Sequence, residues 1–113
     1  MPPADLIRIR HMLDAAVEAV EFHHGKTVND LLRDRVLALA LVRCLEIIGE
    51  AASKVSPATR SEHPSVPWVD VIGMRNRLIH AYFDIDLSLI EQTVTVDLPE
   101  LIERLKAIVA GAE

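Results

Sequence analysis

Apolar residues recur three and four positions apart along most of this chain. Leu6, Ile9, Leu13, Ala16, Val17 and Val20 share one face if the backbone turns about 100° per residue. They predict a first helix from about Asp5 to His23, with Asp5 as its N-cap and Gly25 as its stop. Thr27 followed by Asp30 resembles a capping arrangement that opens a short helical turn, Val28 to Arg33. The longest predicted helix follows, about Asp34 to Val55. Ser56-Pro57 reads as the cap and first position of a short helix ending near His63, where Pro64 stops it. Ser65-Val66-Pro67-Trp68 opens the next one. In it Val69, Ile72, Leu78 and Ile79 supply apolar contacts, Trp68 is a core anchor, and the end falls near His80 or Ala81. Asp84-Ile85-Asp86 reads as a turn, with Asp86 capping the last helix. There Leu87, Ile90, Val94, Leu98, Leu101, Leu105 and Ile108 carry the period to the tail. Pro99 should bend this helix around Thr95. Thr93-Val94-Thr95-Val96 has strand propensity, but the helical spacing runs across it, so a bent helix is expected.

The helix over 34–55 is unusual. Between Val36 and Ile48 only Arg43 and Glu46 are charged. A helix apolar nearly all round has to be covered on more than one side. In a chain this small the spare face most simply packs against a second copy, so a homodimer is expected with this helix near the interface. Arg43, Glu46, Glu50 and Lys54 are spaced by three or four and form a charged stripe. The stripe is either a solvated edge or, for Arg43 and Glu46, the lining of a cleft.

Composition narrows the class. A length of 113 residues bounds the chain to one domain, 1–113, and 50% hydrophobic content with only 4% aromatics means a core of Leu, Ile, Val and Ala. With Gly and Pro at element edges, an all-α helical bundle is favoured over a sheet protein. The net charge of −5 argues against a broad basic nucleic-acid footprint. Any RNA contact should be local, through Arg75, Arg77 and their neighbours. Cys44 is the one cysteine and reads as a small buried hydrophobe. The start of the chain does not resemble a signal peptide, and the longest apolar run, Val36 to Val42, is far too short to span a bilayer. A cytoplasmic location is therefore the default expectation. Phosphate-cradling glycine loops, serine elbows and zinc spacings are absent from the sequence. The histidines at 11, 23, 24, 63 and 80 are scattered, and His23-His24 read as helix-terminal surface residues. Chemistry without metal or cofactor is expected.

The chemically capable side chains crowd into one stretch, Gly73-Met74-Arg75-Asn76-Arg77-Leu78-Ile79-His80-Ala81-Tyr82-Phe83. If the helix runs through His80, Asn76 and His80 share a face one turn apart. Arg75 is then offset from His80 by roughly 140°, a gap its long side chain can cross. A guanidinium grips phosphate oxygens bidentately, and an imidazole moves protons near neutral pH. Asn adds a donor and an acceptor, and a Tyr hydroxyl can hydrogen-bond or act as a nucleophile. Arg plus His suffices in principle for attack on a phosphodiester without a metal. The same residue types also suit a plain helix end, where His complements the dipole and Arg is solvated.

The motif R-x4-H-x-Y, filled by Arg75, His80 and Tyr82, resembles that of the HepT-like toxins of the HEPN superfamily. Leu45-Glu46-Ile47-Ile48-Gly49-Glu50-Ala51-Ala52, Pro67-Trp68, the Gly73–His80 block and Tyr82-Phe83 are similar to the family's signature blocks, in the family's order. Ala81 stands where many members carry Gly. The resemblance implies a HEPN-type antiparallel helical bundle that dimerises and places its Arg-His motifs at a shared cleft. It also implies a metal-independent endoribonuclease, the toxin of a toxin–antitoxin pair. Arg75 would polarise the scissile phosphate, His80 would transfer the proton, and Asn76 would orient either. Glu46, Arg43 and Arg77 are candidates to line the cleft. The antitoxin in such pairs is a minimal, MntA-like nucleotidyltransferase that adds AMP to a tyrosine corresponding to Tyr82. Two other readings keep the same residues. The chain could be a non-catalytic nucleotide-binding or partner subunit of that nucleotidyltransferase, or an inert helical dimerisation module.

Overall fold

A computed structural model describes residues 1–81 and 84–112, with the backbone alone for His80 and Ala81. The described chain forms α1 (Pro3–His23), α2 (Val28–Arg33), α3 (Arg35–Ser53), α4 (Pro57–Glu62) and α5 (Trp68–Leu78). There follow β1 (Ile79–Ala81), β2 (Asp84–Ile85), α6 (Leu87–Gln92), a π-turn (Thr93–Asp97) and α7 (Leu98–Ala112). The fold is all-α apart from the two-stranded antiparallel ribbon of β1 and β2. Among the described residues no helix is long and apolar enough to cross a membrane.

The apolar periodicity becomes the core. Ile9, Met12 and Ala16 of α1 and Leu41, Leu45 and Ile48 of α3 are fully buried where these two helices pack together. The pair is antiparallel: Glu18 meets Cys44, and Arg8, ten residues earlier, shares a furrow with Lys54, ten residues later. α7 packs on α1 through Leu98, Leu101 and Leu105, and α5 packs on α3 through Val71, Met74 and Leu78. Truncating any fully buried leucine here to Ala would cost about 2–5 kcal/mol.

Several expectations need correction. Asp5 does not cap α1, which begins at Pro3 with proline in its first turn. Instead its buried carboxylate accepts hydrogen bonds from Ser56 N (3.0 Å), Ser56 Oγ (2.6 Å) and Thr59 Oγ1 (2.6 Å). These contacts hold its pKa below the ordinary value near 3.8, the Ser56 hydroxyl contributing most. At 19 residues α3 is shorter than α1, which has 21. His23 is buried, not a surface residue, and its Nε2 meets Glu91 of α6 at 2.5 Å, while His24 is exposed. Val69 is exposed rather than a core contact, because Trp68, Val71 and Met74 take the inward face of α5.

The caps at Thr27, Ser56 and Asp86 are present, as their spacing predicts. Gly25, at φ +76°, makes the left-handed turn that ends α1. The bend expected before Pro99 takes the form of a π-turn. The Leu98 N–H donates to Thr93 O, five residues back, which suits a stretch where proline supplies no donor. Thr93 and Thr95 turn their hydroxyls onto the carbonyls of Leu89 and Glu91, both at 2.7 Å.

Candidate active site

The site is built where α5 crosses α3. The Trp68 indole N–H fixes the entry to α5 by donating to His63 O at 3.0 Å. Gly49 then lets the helices close up. A Cβ at that position would stand 3.1 Å from Val71 O and 3.4 Å from Ile72 O, both backbone atoms that cannot swing aside. One turn earlier on α3 comes Glu46, and on the last turn of α5 comes Arg75. Arg75 Nε donates to Glu46 Oε2 at 3.1 Å. The Glu46 side chain is 22% exposed and that of Arg75 is 58% exposed. The contact uses Nε, so the outer edge of the guanidinium, with both Nη groups, remains the edge that can grip an oxyanion. Asn76 is exposed beside it.

The helix does not reach His80. It stops at Leu78, and Ile79 is extended at φ −122°, ψ 108°. The return of the chain explains the early end. Asp86 N donates to Leu78 O at 2.8 Å, and Ile79 pairs with Ile85 across the ribbon. The helical relation between Asn76 and His80 therefore does not hold. The ribbon register shifts by one between Ile79↔Ile85 and Ala81↔Asp84, which makes the His80 backbone the extra residue. Such irregularities bend a strand. Asp84-Ile85, expected as a turn, is the returning strand. Tyr82 and Phe83 lie outside the described residues, as do the side chains of His80 and Ala81.

The remaining candidates separate. Arg43 pairs loosely with Glu50 at 3.7 Å on the exposed ridge of α3, not with Arg75. Arg77 lies about 200° around α5 from Arg75. It donates to Asp70 O at 3.0 Å and borders a different cavity, of about 330 Å³, between α5 and the α6–α7 limb. The expectation that Arg77 shares the Arg75 cleft is not met within this chain. Cys44 is buried, and burial followed by the nearby Glu18 carboxylate pushes its thiol up to about 11, so it is no nucleophile at neutral pH. Among the described residues, no cluster of His, Cys, Asp or Glu could hold a metal.

An all-helical domain with a half-buried carboxylate aiming an exposed arginine, at the helix end that precedes a histidine, defines the class. The family described as ribonuclease HepT-like matches residues 12–108, and the chain belongs to that family. Among its curated relatives is a protein described as a "putative RNase" from Caldanaerobacter subterraneus subsp. tengcongensis. It is 38% identical over 100 residues, covering 88% of this chain and 89% of that protein. A "probable ribonuclease HepT" from Thermococcus cleftensis is 39% identical over 87 residues, 76% of this chain and 79% of that one. A "putative RNase" from Methanocaldococcus jannaschii is 34% identical over 97 residues, 86% and 89% of the two chains. No solved structure matches the chain.

Proposed function

We propose that this chain is a toxin that cuts RNA internally without a metal, and that a nucleotidyltransferase antitoxin silences it by adding AMP to Tyr82. The observation that carries the reading is Arg75. It stands on the last turn of α5, aimed by Glu46, five residues before His80, in a chain whose relatives are named as ribonucleases. Arg75 holds a scissile phosphate and stabilises its growing charge. His80 takes the proton from the ribose 2′-hydroxyl, and the 2′-oxygen attacks phosphorus. The 5′-oxygen leaves and picks up a proton, giving a 2′,3′-cyclic phosphate and a 5′-hydroxyl. Asn76 orients the phosphate or His80. AMP on Tyr82 would add phosphate charge and bulk to the motif and block the RNA.

The active species is a homodimer. Leu32, Val36 and Leu39 are exposed on α2 and the first turns of α3, and Phe22 on the last turn of α1. Since α1 and α3 are antiparallel, all four share one end of the bundle. A second copy is the simplest cover for an apolar patch of that kind.

The test is cleavage of a labelled RNA in excess chelator by unmodified protein, wild type beside His80→Ala. Cutting by wild type alone, with cyclic phosphate ends, supports the reading. No cutting by a folded dimer free of AMP sinks it, and leaves a phosphate-gripping subunit of the nucleotidyltransferase. With the nucleotidyltransferase and ATP, Tyr82→Phe should take up no AMP; label on another residue would remove Tyr82 from the scheme.

A further inference from the structure

A second cluster of cations lies on the far side of the α3 ridge from Arg75. Arg8 and His11 of α1, with Arg43 of α3 and Lys54 just past its end, line a shallow furrow floored by Ile47 and Ala51. Glu50 is the one carboxylate in its lining. Three permanent cations face it, in a chain whose net charge is −5. Like charges gathered on one surface repel and contribute nothing to the fold. Here, among the described residues, Arg8 and Lys54 have no acidic partner within salt-bridge distance. Arg43 has only the loose 3.7 Å contact with Glu50, both side chains more than half exposed. These charges are held together and left to solvent.

The furrow borders the same helix that holds Arg75, on the other side of its exposed ridge. Arg43 precedes Glu46 by less than one helical turn, and Glu46 holds Arg75. From Arg43 to Lys54 the ridge runs ~16 Å at 1.5 Å per residue, the length of a few nucleotides. The exposed apolar residues Val36 and Leu39 lie on the same ridge toward its other end.

Resting on the ribonuclease reading above, we infer that the α1/α3 furrow is the track for the sugar–phosphate backbone of single-stranded RNA flanking the cut. Arg8, Arg43 and Lys54 bind successive phosphates and His11 adds a ring N–H. A contact of this type reads charge and not base sequence. It gives the acidic chain a local anion track in place of a broad basic face.

The experiment pairs Arg8→Gln/Lys54→Gln with the parent protein. Binding of a fluorescein-labelled single-stranded RNA of about 12 nucleotides is measured by anisotropy across salt concentrations, in a His80→Ala background. Cleavage of that RNA and of a dinucleoside monophosphate is measured with His80 intact. The expected result is about tenfold weaker binding of the longer RNA and a salt slope lower by about 1.4, or 0.7 per lost contact. Dinucleotide cleavage, which needs only the Arg75 site, stays unchanged. If the parent cuts both substrates and the double variant matches it in affinity and slope, the track is overturned and the ribonuclease stands. If the parent cuts neither, yet affinity and slope fall as stated, the track stands and the nuclease reading falls. If the parent binds no RNA, both are overturned. Should Arg8→Gln unsettle α1, Lys54→Gln alone, at an exposed helix end, must still lower the slope by about 0.7. Arg8→Lys must keep the parent's slope.

Discussion

Asp5 and Glu46 are both carboxylates that tie together segments far apart in sequence, and they do it in opposite ways. Asp5 is buried, and three donors from the start of α4 converge on it. Glu46 keeps 22% of its side chain in water and holds one nitrogen of an exposed Arg75. The first arrangement leaves nothing over; every contact serves to pin α4 against α1. The second leaves most of the guanidinium idle in the folded protein. A polar group that is saturated and enclosed is there for the fold, while one held in place with donors to spare is available for a ligand.

That contrast can be broken most directly at Arg75. Arg75→Ala should lower RNA cleavage by about 100- to 1,000-fold, the usual effect of losing a group that stabilises transition-state charge. Its thermal midpoint should stay near that of the parent, because a half-exposed ion pair contributes only about 0–1 kcal/mol. A large drop in midpoint with unchanged cleavage would place Arg75 on the structural side. Next comes Gly49→Ala, which forces a methyl against the Val71 and Ile72 carbonyls and pushes α5 off α3 by a few tenths of an ångström. It should cost about 1–3 kcal/mol by overpacking and slow cleavage about tenfold by displacing Arg75 from Glu46.

Glu46→Gln should slow cleavage several-fold, since a neutral amide still accepts from Arg75 but aims it less firmly. Its melting should be unchanged, and an unchanged rate would remove Glu46 from the site. The smallest effect on rate belongs to Asp5→Asn, which should leave cleavage per folded molecule alone and change the acid limb of stability. Because the folded-state pKa of Asp5 lies below its unfolded value, its contribution is complete above the ordinary carboxylate range. It is lost as pH falls through the folded value. Denaturant melts of Asp5→Asn should therefore be weaker than wild type near neutrality and converge with it at low pH. Parallel curves would show that Asp5 is not the titrating group.

The sequence disclosed the bundle well because burial on helices has a period, and a period survives without knowledge of partners. Ile9, Ile90, Leu98 and Leu105 all point inward as spacing alone predicts. The caps were legible for a similar reason, since Thr27, Ser56 and Asp86 act on backbone three residues away. What failed was long-range. Nothing near Asp5 says that its partners are Ser56 and Thr59, and nothing near His23 says that Glu91 waits 68 residues on. The end of α5 was misplaced because Asp86, not the local sequence, draws the chain out at Ile79. Of the candidate site, sequence left Glu46 open between a solvated edge and a cleft lining, and the structure sets it against Arg75. Arg77, close to Arg75 in sequence, lies on the opposite face of the helix within this chain, which nearness in sequence does not reveal.

The π-turn at Thr93–Asp97 also bears on the lineage of the chain. Ile90 and Leu98 lie eight positions apart, slightly more than the roughly 7.2 residues of two ordinary turns, and both are fully buried. The wide turn absorbs the surplus residue and keeps α7 in phase with α6. Losing one solvent-facing residue there, such as Val96, would let the stretch wind as plain α-helix without rotating α7 off the core. Related chains one residue shorter at this point can thus share the same packing, and an alignment gap at Val96 would record a change of winding and not a change of fold.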